Sequence, residues 1–143
     1  MKNIGVYCGS FNPFHQGHLD ILIQAERIFD EVIIARGIND SKKEDLEPIP
    51  SKWNRVIEYD GLLTSFLDKL YKEENDSVIT LIRGLRNGRD LEDEINLKEW
   101  LNLDNYNVVY FISNKNVRHI SSSAIRNLRK KYPELVEGYL VSD

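Results

Sequence analysis

Two histidines three positions apart, His15 and His18, stand near the start of the chain in the stretch GSFNPFHQGH, residues 9–18. An apolar run precedes this stretch and an amphipathic segment follows it, which predicts a strand, a turn of small residues and the N-terminus of a helix. Unpaired backbone N–H groups and the positive end of the helix dipole meet at such a turn, so it is suited to an anion. Both imidazoles can face one phosphate, with His18 donating to a non-bridging oxygen as charge develops, and Gly17 lets that phosphate approach the backbone.

Other roles for these residues are open at this point. His18 could be a neighbour of the helix N-cap or a half-buried polar residue. A zinc site is less favoured, because two histidines without a cysteine or a clear third ligand fall short of the usual set and Asp20 is a weak candidate. Cys8, just before the turn, lacks an acid–base partner arrangement, so we expect a small buried residue at a strand end rather than a nucleophile.

Three arginines interspersed with glycines, in the segment RGLRNGR at 83–89, directly follow the clearest strand pattern of the chain. Open α/β sheets bind their ligands beyond the carboxyl ends of the strands, so this position favours a phosphate-binding role for Arg83 and Arg86. The alternative is that both are solvated surface charges paired with a carboxylate of the acidic segment 92–94.

Three serines, residues 121–123, precede a predicted helix that begins at Ala124. One serine is enough for an N-cap. Three in a row, with Arg126 one turn into the helix, supply hydroxyl and backbone donors to several oxygens of a polyphosphate. A lysine pair, Lys42 and Lys43, lies in a polar loop, where lysines are most often solvated.

These segments need a scaffold that brings the ends of several strands together. Short β-branched runs alternate with amphipathic stretches, which predicts an α/β fold with a parallel sheet covered by helices on both faces. The predicted strands are 3–8, 31–36, 55–59, 77–82 and 107–112. The predicted helices are 17–29, 62–73, 90–103, one that opens at 124 and a short last one at 133–140. The polar segment 37–50 is expected to be a loop that serves as a mobile lid.

The composition is that of one globular domain. The chain has 143 residues, of which 41% are hydrophobic and 29% charged, so it can bury a core without disulfides. No repeat or linker divides residues 1–143, so we expect a single domain. One cysteine and no signal-peptide pattern predict a cytoplasmic protein, and no apolar run is long enough for a membrane span. A net charge of −4 argues against a nucleic-acid partner, so an anionic ligand needs a local pocket.

The same residues are similar to motifs of a known superfamily. Residues 9–18 resemble the (T/H)xGH signature of the nucleotidyltransferase superfamily of adenylyl- and cytidylyltransferases, and ISSS at 120–123 resembles its second signature. Within the superfamily, LIRGLR at 81–86 followed by DLEDE at 90–94 is similar to the phosphopantetheine adenylyltransferase family. Lys42 falls where that family has its loop lysine, and the resemblance extends over nearly the whole chain.

The resemblance implies a fold, a reaction and ligands. The fold would be a Rossmann-like, doubly wound, five-stranded parallel sheet with strand order 3-2-1-4-5, and the assembly a homo-oligomer, often a hexamer. The reaction would be adenylyl transfer from ATP, with Mg²⁺, to the phosphate of 4′-phosphopantetheine, giving dephospho-CoA and pyrophosphate. The acceptor phosphate would attack the α-phosphorus of ATP directly, while the enzyme contributes positioning and charge stabilisation.

The resemblance also implies roles for individual residues, none of them as a ligand of a bound metal. The catalytic residues would be His18, Lys42 and Ser10, with His18 and Lys42 stabilising the transition state. The acceptor would be bound by Ser10, Lys42, Leu63 and Arg83. Arg83 would orient the acceptor's phosphate. ATP would be bound by Gly9, Ser10, Phe11, His15, Gly17, His18, Gly84, Arg86, Glu94, Ser121, Ser122 and Ser123.

Departures from the family pattern keep two alternatives open. His15 stands where Thr is usual, a choice commoner in nicotinamide mononucleotide adenylyltransferases and in cytidylyltransferases. The acceptor could therefore be nicotinamide or nicotinate mononucleotide or another phosphorylated compound. The segment 44–58 and the C-terminus are shorter than in the family, which would fit a nucleotide-binding protein with little turnover. The retained His18, Lys42 and Arg86 argue against that second alternative.

Overall fold

One parallel sheet forms the centre of the computed structural model, which describes residues 1–38, 46–50 and 55–141. Within those residues five strands lie in the order β3-β2-β1-β4-β5, and neighbouring strands are parallel throughout. The α/β class and the strand order expected from the resemblance are therefore confirmed. The strands are β1 Lys2–Gly9, β2 Glu31–Gly37, β3 Arg55–Tyr59, β4 Ser77–Leu85 and β5 Asn107–Ile112.

The helices of the described residues pack on both faces of the sheet. They are α1 Gln16–Glu26, α2 Leu63–Glu73, α3 Gly88–Leu101, α4 Ser122–Arg129 and α5 Pro133–Val136, with 3₁₀ turns at Leu103–Asn105 and Glu137–Tyr139. On one face α2 buries the stripe Leu63, Leu67 and Leu70 against the sheet. On the other face α1 buries Ile21 and Leu22.

The central strand β1 explains why the core has two halves. It pairs with β2 on one side and with β4 on the other, so successive side chains enter opposite cores. Val6 and Cys8 lie in the core under α2, whereas Tyr7 lies in the core under α1. Because β1 and β4 run in the same direction side by side, the turn after Gly9 lies next to the carboxyl end of β4.

Two boundaries near the expected phosphate site differ from the predictions. β4 does not end at residue 82, because its pairing with β5 continues through Arg83 and Gly84, which therefore lie inside the strand. α3 begins at Gly88 rather than at residue 90, since the Asn87 side chain accepts the N–H of Asp90 as an N-cap. Ligand-binding groups at a strand end need not lie beyond the last ladder pair.

Other ends also move by a few residues. The first helix stops at Glu26, α4 begins at Ser122, and the last predicted helix is divided into α5 and a 3₁₀ turn. Half of the predicted lid at 37–50 lies outside the described residues, since 39–45 are not among them. No helix in the described ranges is long and apolar enough to cross a membrane.

Candidate active site

A cleft of about 410 Å³ opens where β1 and β4 end. It is lined by residues from all three segments that the sequence marks as phosphate-binding. From the predicted set they are Gly9, Ser10, Phe11, His15, Gly17, His18, Arg83, Gly84, Arg86, Glu94, Ser121, Ser122 and Ser123. The fold thus brings together groups separated by more than a hundred positions. What each of them binds stays a prediction.

The two histidines form the N-terminal cap of α1. The Nδ1 atom of His15 accepts the N–H of Gly17 at 3.0 Å, and the Nδ1 atom of His18 accepts the N–H of His15 at 3.1 Å. Their rings are stacked, with centroids 3.7 Å apart. The alternative role of His18 as a neighbour of the N-cap is therefore correct, and it is compatible with a second role at the cleft.

The capping bonds determine the chemistry of both rings. Burial, with the charge of Arg86, lowers the pKa of His15 to about 4. Burial, followed by the neighbouring His15 and Arg86, holds the pKa of His18 well below its usual value. Both imidazoles are therefore neutral near pH 7. Because each Nδ1 accepts a backbone N–H, the proton of each neutral ring sits on Nε2, which leaves an uncharged donor at each ring for a ligand.

The loop after β1 is held by its carbonyl oxygens. Arg36 donates Nε to the carbonyl of Ser10 at 2.9 Å and Nη2 to that of Phe11 at 2.6 Å. The next two carbonyls, of Asn12 and Pro13, accept from side chains of α4, one from an arginine at 2.6 Å and one from a serine at 3.0 Å. Four consecutive carbonyls are thus bound by side chains from two distant elements.

The backbone at Phe11 has an uncommon conformation. Its φ is 49°, in the left-handed region that a bulky residue rarely adopts. The ring packs edge-on against Tyr7 and His18, with centroids 5.0 and 4.9 Å away. Such a conformation persists where its surroundings hold it, and here the ring contacts and the bond to Arg36 do so.

Arg83 is tied to Glu94. Its Nε and Nη2 donate to the carboxylate of Glu94 at 2.6 to 3.0 Å, and its Nη1 donates to the carbonyl of Cys8 at 3.0 Å. Burial alone lowers the pKa of Arg83, but the hydrogen bonds and charge of Glu94 outweigh it and raise that pKa above its ordinary value. The alternative interpretation, ion pairing with the acidic segment, is thus what the structure shows for Arg83. A phosphate would share Arg83 with Glu94.

Arg86 has a different partner from the ones considered in the sequence. It pairs with Asp90, with Nε to Oδ2 at 2.9 Å and Nη2 to Oδ1 at 3.0 Å. The hydrogen bond to Arg86 lowers the pKa of Asp90, against the opposing effect of burial. Asp90 therefore stays ionised and fixes the direction of a guanidinium that lines the cleft.

The three serines have three different local roles. Ser121 is the N-cap of α4 and accepts the N–H of Ala124 at 3.1 Å, so the capping alternative holds for this serine. Ser122 donates Oγ to the carbonyl of Pro13. Ser123 accepts from Arg126 at 3.3 Å. The start of α4 thus contacts the loop after β1 through Ser122, and all three serines line the cleft.

Cys8 behaves as expected of a small buried residue. It is 4% exposed, and burial raises the pKa of its thiol to about 12. A thiol that stays protonated at neutral pH is a poor nucleophile. The prediction that Cys8 is structural is therefore confirmed.

Two predicted acceptor or catalytic residues are not placed at the cleft. Lys42 lies outside the described residues. Leu63 is buried in the core between α2 and the sheet and is not among the cleft's lining residues. The first turn of α2 points its apolar stripe into the core, which directs Leu63 away from the cleft.

Sequence reasoning missed two residues that hold the site. Asp90 belongs to the DLEDE motif, but its role as the partner of Arg86 was not predicted, because acids at a helix start are common as partners of the dipole. Arg36 was overlooked because the run EVIIAR was taken only as a strand. The available signal was a charged residue in a strand otherwise apolar enough to be buried on both faces.

Fold and cleft together define the Rossmann-like class of proteins that bind phosphates across the carboxyl ends of central parallel strands. The family model for cytidylyltransferase-like proteins matches residues 6–128. The chain therefore belongs to the cytidylyltransferase-like family, as a phosphopantetheine adenylyltransferase-like member.

Relatives span nearly the full length of the chain. It is 37% identical to the phosphopantetheine adenylyltransferase of Mycoplasma capricolum, over 87% of this chain and 95% of that protein. It is 36% identical to the phosphopantetheine adenylyltransferase of Porphyromonas gingivalis, over 89% of this chain and 87% of that protein. Among solved structures, a nicotinic acid mononucleotide adenylyltransferase of Plasmodium falciparum shares the fold, with a TM-score of 0.68, 16% identity and coverage of 98% and 91% of the two chains.

Proposed function

We propose that this protein transfers the adenylyl group of ATP to the phosphate of 4′-phosphopantetheine, releasing pyrophosphate and forming dephospho-CoA. The observation that carries the proposal is a combined one. The chain has this cleft, and it is 36 to 37% identical to two phosphopantetheine adenylyltransferases along most of its length.

In the proposed reaction the transfer is in-line and needs no covalent intermediate. An oxygen of the acceptor phosphate attacks the α-phosphorus, the bond to the bridging oxygen breaks, and pyrophosphate leaves with that electron pair. His18, neutral and carrying its proton on Nε2, donates to a non-bridging α-oxygen as charge develops. Arg86, oriented by Asp90, takes the outer phosphates with the serines of α4. In the same proposal Lys42 contacts the reacting phosphates.

Magnesium enters the proposal as the ion that accompanies ATP. In the described part of the chain no three His, Cys, Asp or Glu side chains gather as a metal site. Mg²⁺ commonly takes its ligands from substrate phosphates and water with few protein groups. The ion would neutralise the pyrophosphate leaving group, while the arginine and serine donors hold the same oxygens.

A second acceptor class is favoured by one observation. His15 is the N-cap of α1 and borders the cleft, in the position where the sequence departs from the usual Thr. A mononucleotide such as nicotinate or nicotinamide mononucleotide presents the same phosphate to Arg83 and differs only beyond it. We keep this class as the alternative acceptor.

Pyrophosphate release from ATP, measured against a panel of acceptors, tests the proposal. The panel contains 4′-phosphopantetheine, nicotinamide mononucleotide, nicotinate mononucleotide and glycerol 3-phosphate. We expect release with 4′-phosphopantetheine to exceed that with the others by at least about 10²-fold, since a site built to bind polar substrate groups rejects analogues that lack them. Preference for a mononucleotide would establish the alternative, and ATP binding without release would indicate a nucleotide-binding protein.

A homo-oligomer and a cytoplasmic location complete the proposal. None of the residues of α3 is buried, and its Leu91, Ile95 and Trp100 are 41%, 49% and 88% exposed. A helix with no fully buried residue leaves these exposed apolar side chains available to a second copy. Ile95→Glu should reduce the mass measured by analytical ultracentrifugation, whereas Leu135→Glu, a matched change on α5, should leave it unchanged. The buried, reduced Cys8 supports a reducing compartment.

A further inference from the structure

Arg36 is a buried cation in an otherwise apolar strand. Its neighbours Ile33, Ile34 and Ala35 are completely buried, and Arg36 itself is only 3% exposed. It lies near the carboxyl end of β2, where it is paired with Gly9 of β1. Burying a guanidinium is costly unless its hydrogen bonds are satisfied, and an aliphatic side chain would fill the same space more favourably. Packing alone does not explain an arginine at this position.

The hydrogen bonds of Arg36 point to that reason. Its Nε and Nη2 grip two successive carbonyls, those of Ser10 and Phe11, at 2.9 and 2.6 Å. A planar guanidinium makes this contact with two nitrogens held in a fixed fork, whereas an ammonium has a single nitrogen on a flexible stem. Glu58 and Glu47 act on it through their charge. Among the described residues, its guanidinium donates to these two backbone carbonyls.

Gripping a carbonyl also orients the amide on its other side. The peptide bond between Ser10 and Phe11 is trans, so its C=O and N–H point in opposite directions. Because the Ser10 oxygen accepts from Arg36, the N–H of Phe11 points away from that guanidinium. Ser10 and Phe11 both line the cleft. A fixed backbone donor in that place stabilises an anion without reorganisation.

We propose that Arg36 is a positioning residue that holds the peptide between Ser10 and Phe11 with its N–H toward a phosphate oxygen of the bound nucleotide. The proposal rests on the proposed function only in that the cleft binds a nucleotide through its phosphates. Arg36 touches no substrate and acts through the loop. The second grip, on the Phe11 carbonyl, keeps that residue at its positive φ.

The test compares Arg36→Met, Arg36→Lys and the control Arg55→Met in the full-length protein. Arg55 is an exposed arginine at the amino end of β3, paired with Glu31 and Glu74 and away from the cleft. Dissociation constants for ATP and for adenosine are measured by calorimetry, together with kcat, the KM for ATP and thermal unfolding. Adenosine is the probe without phosphate.

Loss of a donor aimed at phosphate should weaken ATP and spare adenosine. We expect Arg36→Met to weaken ATP about tenfold, to change adenosine less than twofold and to lower kcat at saturating ATP about 10²-fold. Arg36→Lys should lie between the wild type and Arg36→Met, and Arg55→Met should match the wild type. If Arg36→Met leaves the ratio of ATP to adenosine affinity unchanged, because both affinities fall equally or neither falls, Arg36 is only structural.

Two further outcomes distinguish a failure of this proposal from a folding defect and from a failure of the proposed function. If Arg36→Met does not fold, Arg36→Lys decides, since wild-type kcat and affinity ratio in that variant would overturn the need for a two-pronged grip. If the wild type binds ATP and yet turns over none of the acceptors, the proposed function fails, while the ATP to adenosine comparison still tests Arg36.

Discussion

The imidazole rings of His15 and His18 lie stacked at 3.7 Å, and the Nδ1 atom of His18 accepts the backbone N–H of His15. The His15 side chain thus caps α1, and the His18 side chain holds the backbone N–H of His15. Since both Nδ1 atoms are occupied, each ring carries its proton on Nε2. The hydrogen bonds of the helix cap therefore fix one tautomer of each imidazole at the cleft.

His18→Ala should lower kcat about 10²-fold with a modest loss of ATP affinity, because the lost Nε2 donor acts mainly as charge develops. Steady-state pyrophosphate release and ATP titration measure the two effects. An equal loss in binding and in rate would contradict a role in the transition state.

Two amide variants separate the cap from the chemistry at the same position. His18→Asn places an acceptor near Nδ1 and should keep the cap with its stability, while losing the rate as His18→Ala does. His18→Gln places a donor near Nε2 and should recover part of kcat. The opposite ranking in kcat would indicate that His18 matters for folding alone.

The stability of the protein should fall as the pH drops from about 6.5 to 4. The pKa of His15 lies at about 4 in the folded chain, below its ordinary value of 6.5, and that of His18 is also depressed. In this window the unfolded state binds protons that the folded state does not, so each pH unit costs up to about 1.4 kcal/mol per histidine.

His15→Asn tests that dependence, because Asn is a good N-cap and does not titrate. We expect the variant to match the wild type within about 1 kcal/mol at pH 8 and to lose less stability toward pH 4. Denaturant unfolding at several pH values measures both. Identical slopes in the two proteins would contradict the depressed pKa of His15.

Ser121 and Ser123 should separate stability from binding. Ser121→Ala removes the cap of α4 and should cost about 1 kcal/mol, whereas Ser121→Asn should restore it. Ser123→Ala leaves that cap intact, so it should weaken the binding of ATP while leaving the melting temperature close to that of the wild type. Thermal unfolding measures the stability of the variants, and ATP titration measures their affinity. Equal melting temperatures for all three variants would show that Ser121 does not stabilise α4 as its cap.

Arg83 and Glu94 should be coupled in a double-mutant cycle. Arg83→Met leaves a mostly buried carboxylate without its main partner and should cost about 2 kcal/mol. Removing both charges with Arg83→Met and Glu94→Met should cost less than the single change. Urea unfolding of the four proteins measures the coupling, and simple additivity would show that the pair is not energetically linked.

Much of the fold follows from local patterns. Strand β5 was predicted at its observed bounds, because its polar flanks at both ends stop the apolar run. The strand β4 was predicted too short, because glycine and arginine normally end a strand and only pairing with β5 carries it to Leu85. The starts of α3 and α4, at Gly88 and Ser122, were each predicted two residues late.

The site was predictable as a set of segments but not as a network. His18, Arg86 and the serines were identified from residue types that bind phosphate at strand and helix ends. Pairing of Arg83 with the acidic segment 92–94 was one of the alternatives, and Glu94 is the partner. The roles of Arg36 and Asp90 were not identified, since Arg36 binds backbone carbonyls that no motif records and Asp90 lies just outside that acidic segment. Leu63 was assigned to the acceptor by resemblance, and packing turns it into the core.

By itself the sequence determined the α/β alternation, the segments with phosphate-binding residue types and the structural role of the single cysteine, because periodicity and local chemistry depend on adjacent residues. Tertiary structure alone decided which nitrogen of His18 carries the proton, that Arg83 is shared with Glu94, and that Arg36 grips the loop after β1. The physical reason is that hydrogen-bond partners, burial and the pKa shifts they cause depend on distances between residues that only folding brings together.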